Sequence, residues 1–192
     1  AVDGAGDAYL GDFYQAVLWK VARDGTTSVV AGIGSAGYDG EGLPAATSRI
    51  SNVTSIAFDA SGALVLAEPA LARLRRIAAD GSISTLAGNG AHEPLALDGE
   101  LATGPLGEVD TVALDPTTGL LWFSAQGQFT IRRINADGTL STMVGTGVEG
   151  FAGDGGSGAL AELGLPADLA FTDEGILLFA DPRNQRVRSY DP

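Results

Sequence analysis

Two landmarks recur along this chain at a single spacing. The first is an Asp-Gly turn at Asp24-Gly25, Asp80-Gly81 and Asp137-Gly138, separated by 80 − 24 = 56 and 137 − 80 = 57 residues. The second is an aspartate that closes a short apolar stretch: Asp3, Asp59, Asp115 and Asp173, spaced 56, 56 and 58 apart. Two independent landmarks with one period define an internal repeat, and 192 residues hold about 3.4 copies of it (192/56). A unit of this size cannot bury its own apolar faces and must stack on its neighbours, which restricts the fold to repeat architectures.

Within a unit the pattern is β. In the second copy, residues 55–59 read as a short strand and Ser61-Gly62 as a turn. Ala63-Leu64-Val65-Leu66-Ala67 is a continuous apolar run, as in a strand covered on both faces. Residues 73–77 alternate charged with apolar side chains, Asp80-Gly81 makes a tight hairpin, and residues 82–88 form a fourth strand. A four-stranded meander buries both faces when meanders stack radially, so the expected fold is an all-β propeller of four-stranded blades. The units run over about 1–53, 54–109, 110–166 and 167–192 of one domain, the last incomplete, giving about 3.5 blades. The first unit opens inside a first strand and the last stops after a third. A fragment of a longer or cleaved chain, or a partial ring completed by another copy or chain, is therefore expected, with a closed four-bladed propeller as the alternative. Bare end faces of such an arc would invite association.

Long glycine-rich linkers at 32–52, 88–109 and 145–166 join each fourth strand to the next unit, and loops of that length are commonly functional. The residues there point to a family. Gly145-Thr146-Gly147-Val148-Glu149-Gly150-Phe151-Ala152-Gly153-Asp154-Gly155-Gly156, followed by Leu165-Pro166-Ala167-Asp168, resembles the NHL-repeat consensus of bacterial secreted proteins and teneurin-type propellers. So does Ala180-Asp181-Pro182-Arg183-Asn184-Gln185-Arg186-Val187-Arg188. The first copy keeps Gly37-Tyr38-Asp39-Gly40-Glu41-Gly42, whereas the second linker keeps only Asp98-Gly99-Glu100. The Asp/Asn/Arg string decays to Glu68, Pro69 and Arg73 in the second copy and to Ala125 through Thr130 in the third. The resemblance implies a six-bladed ring, an extracellular or periplasmic setting, and a local structural role for Asp181, Asn184 and Arg186.

Charge and composition narrow the partners. A net charge of −13 opposes a phosphate backbone, so nucleic acid is not expected, including the RNA that some eukaryotic relatives bind. No apolar stretch reaches the roughly 18 residues of a membrane span. Cysteine is absent and His92 is the one histidine, so the zinc site of the similar peptide-amidating lyase has no ligand set here, and no catalytic residue is assigned.

The linker acids Asp39, Glu41, Asp98, Glu100 and Asp154 sit among glycines, an oxygen-rich setting that calcium favours. Asp39, Glu41 and Asp154 are the calcium candidates, and turn or packing roles are the expected reading, with no cofactor. Phe13, Tyr14, Tyr38, Asp39, Glu41, Asp98, Glu100, Phe151 and Asp154 are the loop candidates for binding; in the packing reading Tyr38 and Phe151 pin the linkers onto the blades, and Phe13 and Tyr14 offer an exposed aromatic surface. Trp19 and Trp122 fall in strands and belong to the core. Arginines recurring at Arg73, Arg75, Arg76, Arg132, Arg133, Arg186 and Arg188 are expected to form cross-strand ion pairs on an outer strand. The functional expectation is a non-catalytic module or scaffold binding protein or glycan. The alternative is an enzyme of the six-bladed lactonase or lyase kind with a metal in the channel.

Overall fold

A computed structural model describes residues 1–93 and 95–192, and its elements are almost all strands. Strands β1 (Ala8–Asp12), β2 (Val17–Val21) and β3 (Thr27–Ala31) form the first sheet. After the short β4 (Leu43–Pro44) come β5 (Ser55–Phe58), β6 (Leu64–Glu68), β7 (Arg73–Ile77) and β8 (Ser82–Ala87). The third sheet holds β9 (Val109–Leu114), β10 (Leu121–Ala125), β11 (Thr130–Ile134) and β12 (Leu140–Val144), and the fourth β13 (Ala167–Phe171), β14 (Leu177–Asp181) and β15 (Arg186–Tyr190). Each sheet is an antiparallel meander, which is the propeller-blade plan.

Register identifies which strands each blade holds. Gly11 faces Leu18 in the first sheet as Ala67 faces Leu74 in the second, so β1 occupies the position of β6. The innermost position of blade one is represented by Val2, bridged to Ala8. Blade four has β15 as an unpaired edge where β8 and β12 close blades two and three.

Three apolar cores lie between successive blades. One joins Leu18 and Ile50 to Leu66 and Ile83, the next Leu74 and Leu106 to Phe123, and the last Trp122 and Ile131 to Leu169 and Phe179. The end faces are bare: Leu10 is 56% exposed on blade one, and Val187 is 75% exposed on blade four. A closed four-bladed ring would bury those faces, so the molecule is an open arc and the closed alternative is set aside.

The turn chemistry follows the repeat. Asp80 Oδ1 accepts the N–H and hydroxyl of Ser82 at 2.9 and 2.7 Å, and Asp24 and Asp137 treat Thr26 and Thr139 the same way. At the first-strand landmark, Asp59 accepts from the N–H groups of Ser61 and Ala63. Its counterpart in blade four is Thr172 rather than Asp173, because Thr172 N–H donates to Ile176 O as Asp59 N–H does to Ala63 O. Measured to Thr172, the last spacing is 172 − 115 = 57 rather than 58. Glycine is required where each linker begins. At Gly88 (φ +88°) a Cβ would stand 2.2 Å from the carbonyl oxygen of Ala72, itself left-handed at φ 45°, and Gly32 and Gly145 face the same obstacle.

Candidate functional site on the linker face

The linkers are fastened down rather than loose. In blade two, Leu43–Pro44 of the preceding linker extends the sheet as β4, against β8. In blade three Leu101 bridges Thr139, and the N–H of Gly99 donates to Leu140 O at 2.9 Å. One carboxylate per linker completes the attachment. Glu41 Oε1 accepts the Thr85 hydroxyl at 2.6 Å and its Oε2 accepts the Thr85 N–H. Asp98 Oδ1 accepts the N–H and hydroxyl of Thr142, both at 2.9 Å, and an Arg132 N–H at 3.1 Å. Burial opposes ionisation of both acids, but these donors outweigh it and hold each carboxyl below its ordinary pKa. Asp154, the third member, pairs with Arg188 at 2.7 Å.

The other candidates stay apart. Asp39 pairs with Arg49 at 2.6 Å, whose guanidinium and N–H hold its carboxyl below the usual range. Glu100 accepts the N–H of Leu97 at 2.8 Å. Asp39, Glu41 and Asp154 thus each face a partner near at hand and do not converge, and no group of three potential metal ligands occurs among the described residues. Phe13 and Tyr14 pack edge to face at 5.4 Å, with Tyr14 92% exposed. Tyr38 lies over Arg73 and Arg75, and Phe151 over Arg186 and Arg188, so both rings cap arginines as well as pinning linkers. Trp122 is buried, Trp19 half-buried and His92 exposed.

The periodic arginines divide into two kinds, and this corrects the outer-strand expectation. They lie on the third strand of blades two, three and four, and Arg75, Arg132 and Arg188 are buried. Arg75 faces the fully buried Glu68 at 3.9 Å, and burial pushes the Glu68 carboxyl up despite its bond from the Ser51 N–H. In blade four Asp181 accepts the Gly164 N–H at 2.8 Å, an Asn184 N–H at 2.9 Å and an Arg188 N–H at 3.2 Å. Asp181 and Asn184 therefore tie the linker to the turn, and the buried arginine is Arg188 while Arg186 stays exposed.

Blade three breaks the pattern. Ala125 stands where Glu68 and Asp181 stand and Thr130 replaces Arg73 and Arg186, while Leu95 lies three residues before Asp98 as Tyr38 and Phe151 lie before Glu41 and Asp154. A cleft of about 450 Å³ opens there, lined by Leu95, Leu97, Asp98, Gln128, Thr130 and Arg132 among others. The sequence carried the signal, as the decay of the string to Ala125 through Thr130, but nothing in it says that decay leaves a hole.

A second group escaped the sequence reading. Asp110 on β9 and Asp168 on β13 sit on neighbouring inner strands. Burial first, then the charges of Asp168 and Glu108, push the Asp110 carboxyl above its ordinary pKa.

No family model matches this chain, and no curated protein matches it either. Solved structures do. It is similar to a streptogramin B lyase, with 17% identity over 100% of this chain and 53% of that one at a TM-score of 0.59. A putative gluconolactonase gives 19% identity, 97% and 55% coverage, and a TM-score of 0.61. An auxiliary nutrient binding protein from Bacteroides thetaiotaomicron gives 16%, 97% and 45%, at 0.64. The chain spans about half the length of these proteins. At such identities the likeness concerns the fold, and with the meander sheets it makes this chain a β-propeller present as a partial ring. No helix of the described residues is long and apolar enough to cross a membrane.

Proposed function

We propose that the chain is part of a non-catalytic propeller of the NHL-repeat kind, working outside the cytoplasm and binding protein or glycan on its linker face. One observation carries this reading. The linker carboxylates that chemistry would need are spent on holding the surface together, Glu41 on Thr85, Asp98 on Thr142 and Arg132, and Asp154 on Arg188. A face fastened this way is rigid, and a rigid face loses little freedom on binding. The bare end faces at Leu10 and Val187 suit a second copy or another chain that extends the arc. Calorimetry with calcium and zinc, alongside a lactone-hydrolysis assay, tests it. The expected result is neither heat of binding nor turnover, and metal-dependent turnover would overturn it.

Asp110 and Asp168 favour a second reading, the lactonase or lyase kind of enzyme with a channel metal, since they bring two acids onto neighbouring strands, near enough for one charge to bear on the other. That reading expects a metal-induced rise in Tm that Asp110→Asn and Asp168→Asn each abolish.

A further inference from the structure

We propose that the slot between β15 and the linker of blade four takes up an extended segment of a partner protein, in the place and register that β8 and β12 hold in blades two and three; this rests on the binding-module reading above and gives it a protein ligand and a binding mode.

The slot is defined by what fills it elsewhere in the same molecule. In blades two and three the fourth strand lies between the third strand and the linker, bonded to both. β8 pairs with β7 on one side, and on the other Gly42 and Ala45 donate their N–H groups to Ile83 O and Gly81 O at 2.8 and 2.9 Å. β12 pairs with β11, and Gly99 and Ala102 donate to Leu140 O and Gly138 O, both at 2.9 Å. In blade four β15 is the edge of its sheet, and a cavity of about 470 Å³ separates it from the linker. Asp154, Gly155 and Gly158 border that cavity on one side, and Arg186, Arg188 and Ser189 on the other.

The backbone groups a strand would meet are in place. Gly155 follows Asp154 as Gly42 follows Glu41 and Gly99 follows Asp98. Gly158 accepts the Gly145 N–H as Ala45 and Ala102 accept those of Gly32 and Gly88. These two glycines therefore stand where the linker donors of the other blades stand, and neither N–H meets a backbone carbonyl among the described residues. Gly158 is buried, so a carbonyl arriving there would satisfy an enclosed donor. Alternate residues of β15 turn further N–H and C=O groups to the same space, as any edge strand does.

The resident strands also say what the segment must carry. Thr85 and Thr142 lie opposite Arg75 and Arg132 and give their hydroxyl and N–H groups to Glu41 and Asp98. In blade one β3 bonds to no linker carboxylate, and Val29 holds the threonine's place opposite Trp19. Threonine thus goes with the acid, and blade four has the acid: Asp154 pairs with Arg188 and is still 60% exposed. Serine opposite Ser189 and an apolar residue opposite Tyr190 follow from Ser84 and Ile83, and from Ser141 and Leu140. Both resident strands end on a glycine, Gly88 or Gly145, against the carbonyl of left-handed Ala72 or Phe129, and Gln185 repeats that conformation at φ 54°. The segment accordingly reads apolar-Ser-Thr-apolar, then Ala or Val, then Gly. The chain's own fourth strands β3, β8 and β12 are already paired within their blades, which argues for another protein over a second copy.

Fluorescence anisotropy on the 192-residue chain tests this, with labelled peptides copying residues 80–88 and 137–145 as probes. Both are expected to bind, and the second peptide with Thr142→Val is expected to bind at least about tenfold more weakly. In the protein, Asp154→Ala removes an exposed carboxylate and leaves Arg188 paired with Asp181, so the fold should hold. It is expected to weaken the threonine peptides at least about tenfold and to leave the valine peptide unchanged. Threonine peptides that bind no better than the valine peptide, or that ignore Asp154→Ala, would overturn the slot. A dimer in sedimentation velocity that the peptides disperse would put a second copy there and overturn the choice of partner. If no peptide binds, the inference fails, whereas the module reading is judged separately by the metal and lactone assay.

Discussion

Blades two and three are the two complete sheets of this molecule, and they treat the same buried arginine in opposite ways. Arg75 lies between Glu68 and Tyr38, fully enclosed. Arg132 has Ala125 and Leu95 in those places and an open cleft before it. Both sheets fold with the same strand order and nearly the same register. The acid and the ring are therefore not needed for the blade to form. Where they are absent, a repeat position becomes free for another use.

The largest test removes the acid where the blade depends on it. Glu68→Ala leaves the buried Arg75 charge without the acid on the neighbouring strand, and urea unfolding should show a loss of about 3–5 kcal/mol. A loss below about 1 kcal/mol would mean that blade two tolerates the loss of the neighbouring-strand acid as blade three does, and the contrast would collapse. Next comes a feature the two blades share. Gly88→Ala and Gly145→Ala should each cost at least about 1–3 kcal/mol, since both place a Cβ against a carbonyl at positive φ. Unequal costs would show that the blades differ in backbone as well as side chains.

Asp98→Asn isolates the one acid left beside Arg132. Its side chain is 53% exposed, so the expected loss is nearer about 1 kcal/mol. The Asp98 carboxyl is depressed, so its stabilisation is present above the unfolded carboxylate pKa and disappears as pH falls through the folded value. The cost of Asp98→Asn should therefore vanish in acid. Asp110→Asn should give the smallest change, with the opposite sign. The Asp110 carboxyl is raised, so its ionisation costs stability above the folded pKa and nothing below the unfolded one. Thermal melts at neutral pH should show a small gain that is lost on acidification.

Much of the fold is legible in the sequence. Asp24, Asp80 and Asp137 announce their turns because Asx bonding and a glycine at positive φ are local chemistry. The strands of the second copy appear within a residue of where the pattern puts them. Tyr38 and Phe151 were readable as anchors because an aromatic residue in a glycine-rich loop has few other uses. The arginines were only half readable. Alternation places Arg75 and Arg76 on opposite faces of β7, yet does not say that the Arg75 face is covered by a linker. Asp110 and Asp168 were illegible, being single acids in separate copies that become neighbours when the inner strands converge.

The repeat period, the turns, the meander and the identity of the glycines that begin each linker belong to the sequence alone, because each rests on interactions within a few residues or on recurrence along the chain. The tertiary structure decided which carboxylates are fasteners, that the arc is open at Leu10 and Val187, and that Ala125 marks a cleft. Those depend on what faces a side chain across a blade or between blades. A missing carboxylate is a small change in a string of letters, and only the folded blade shows that the arginine it would have met stays buried all the same.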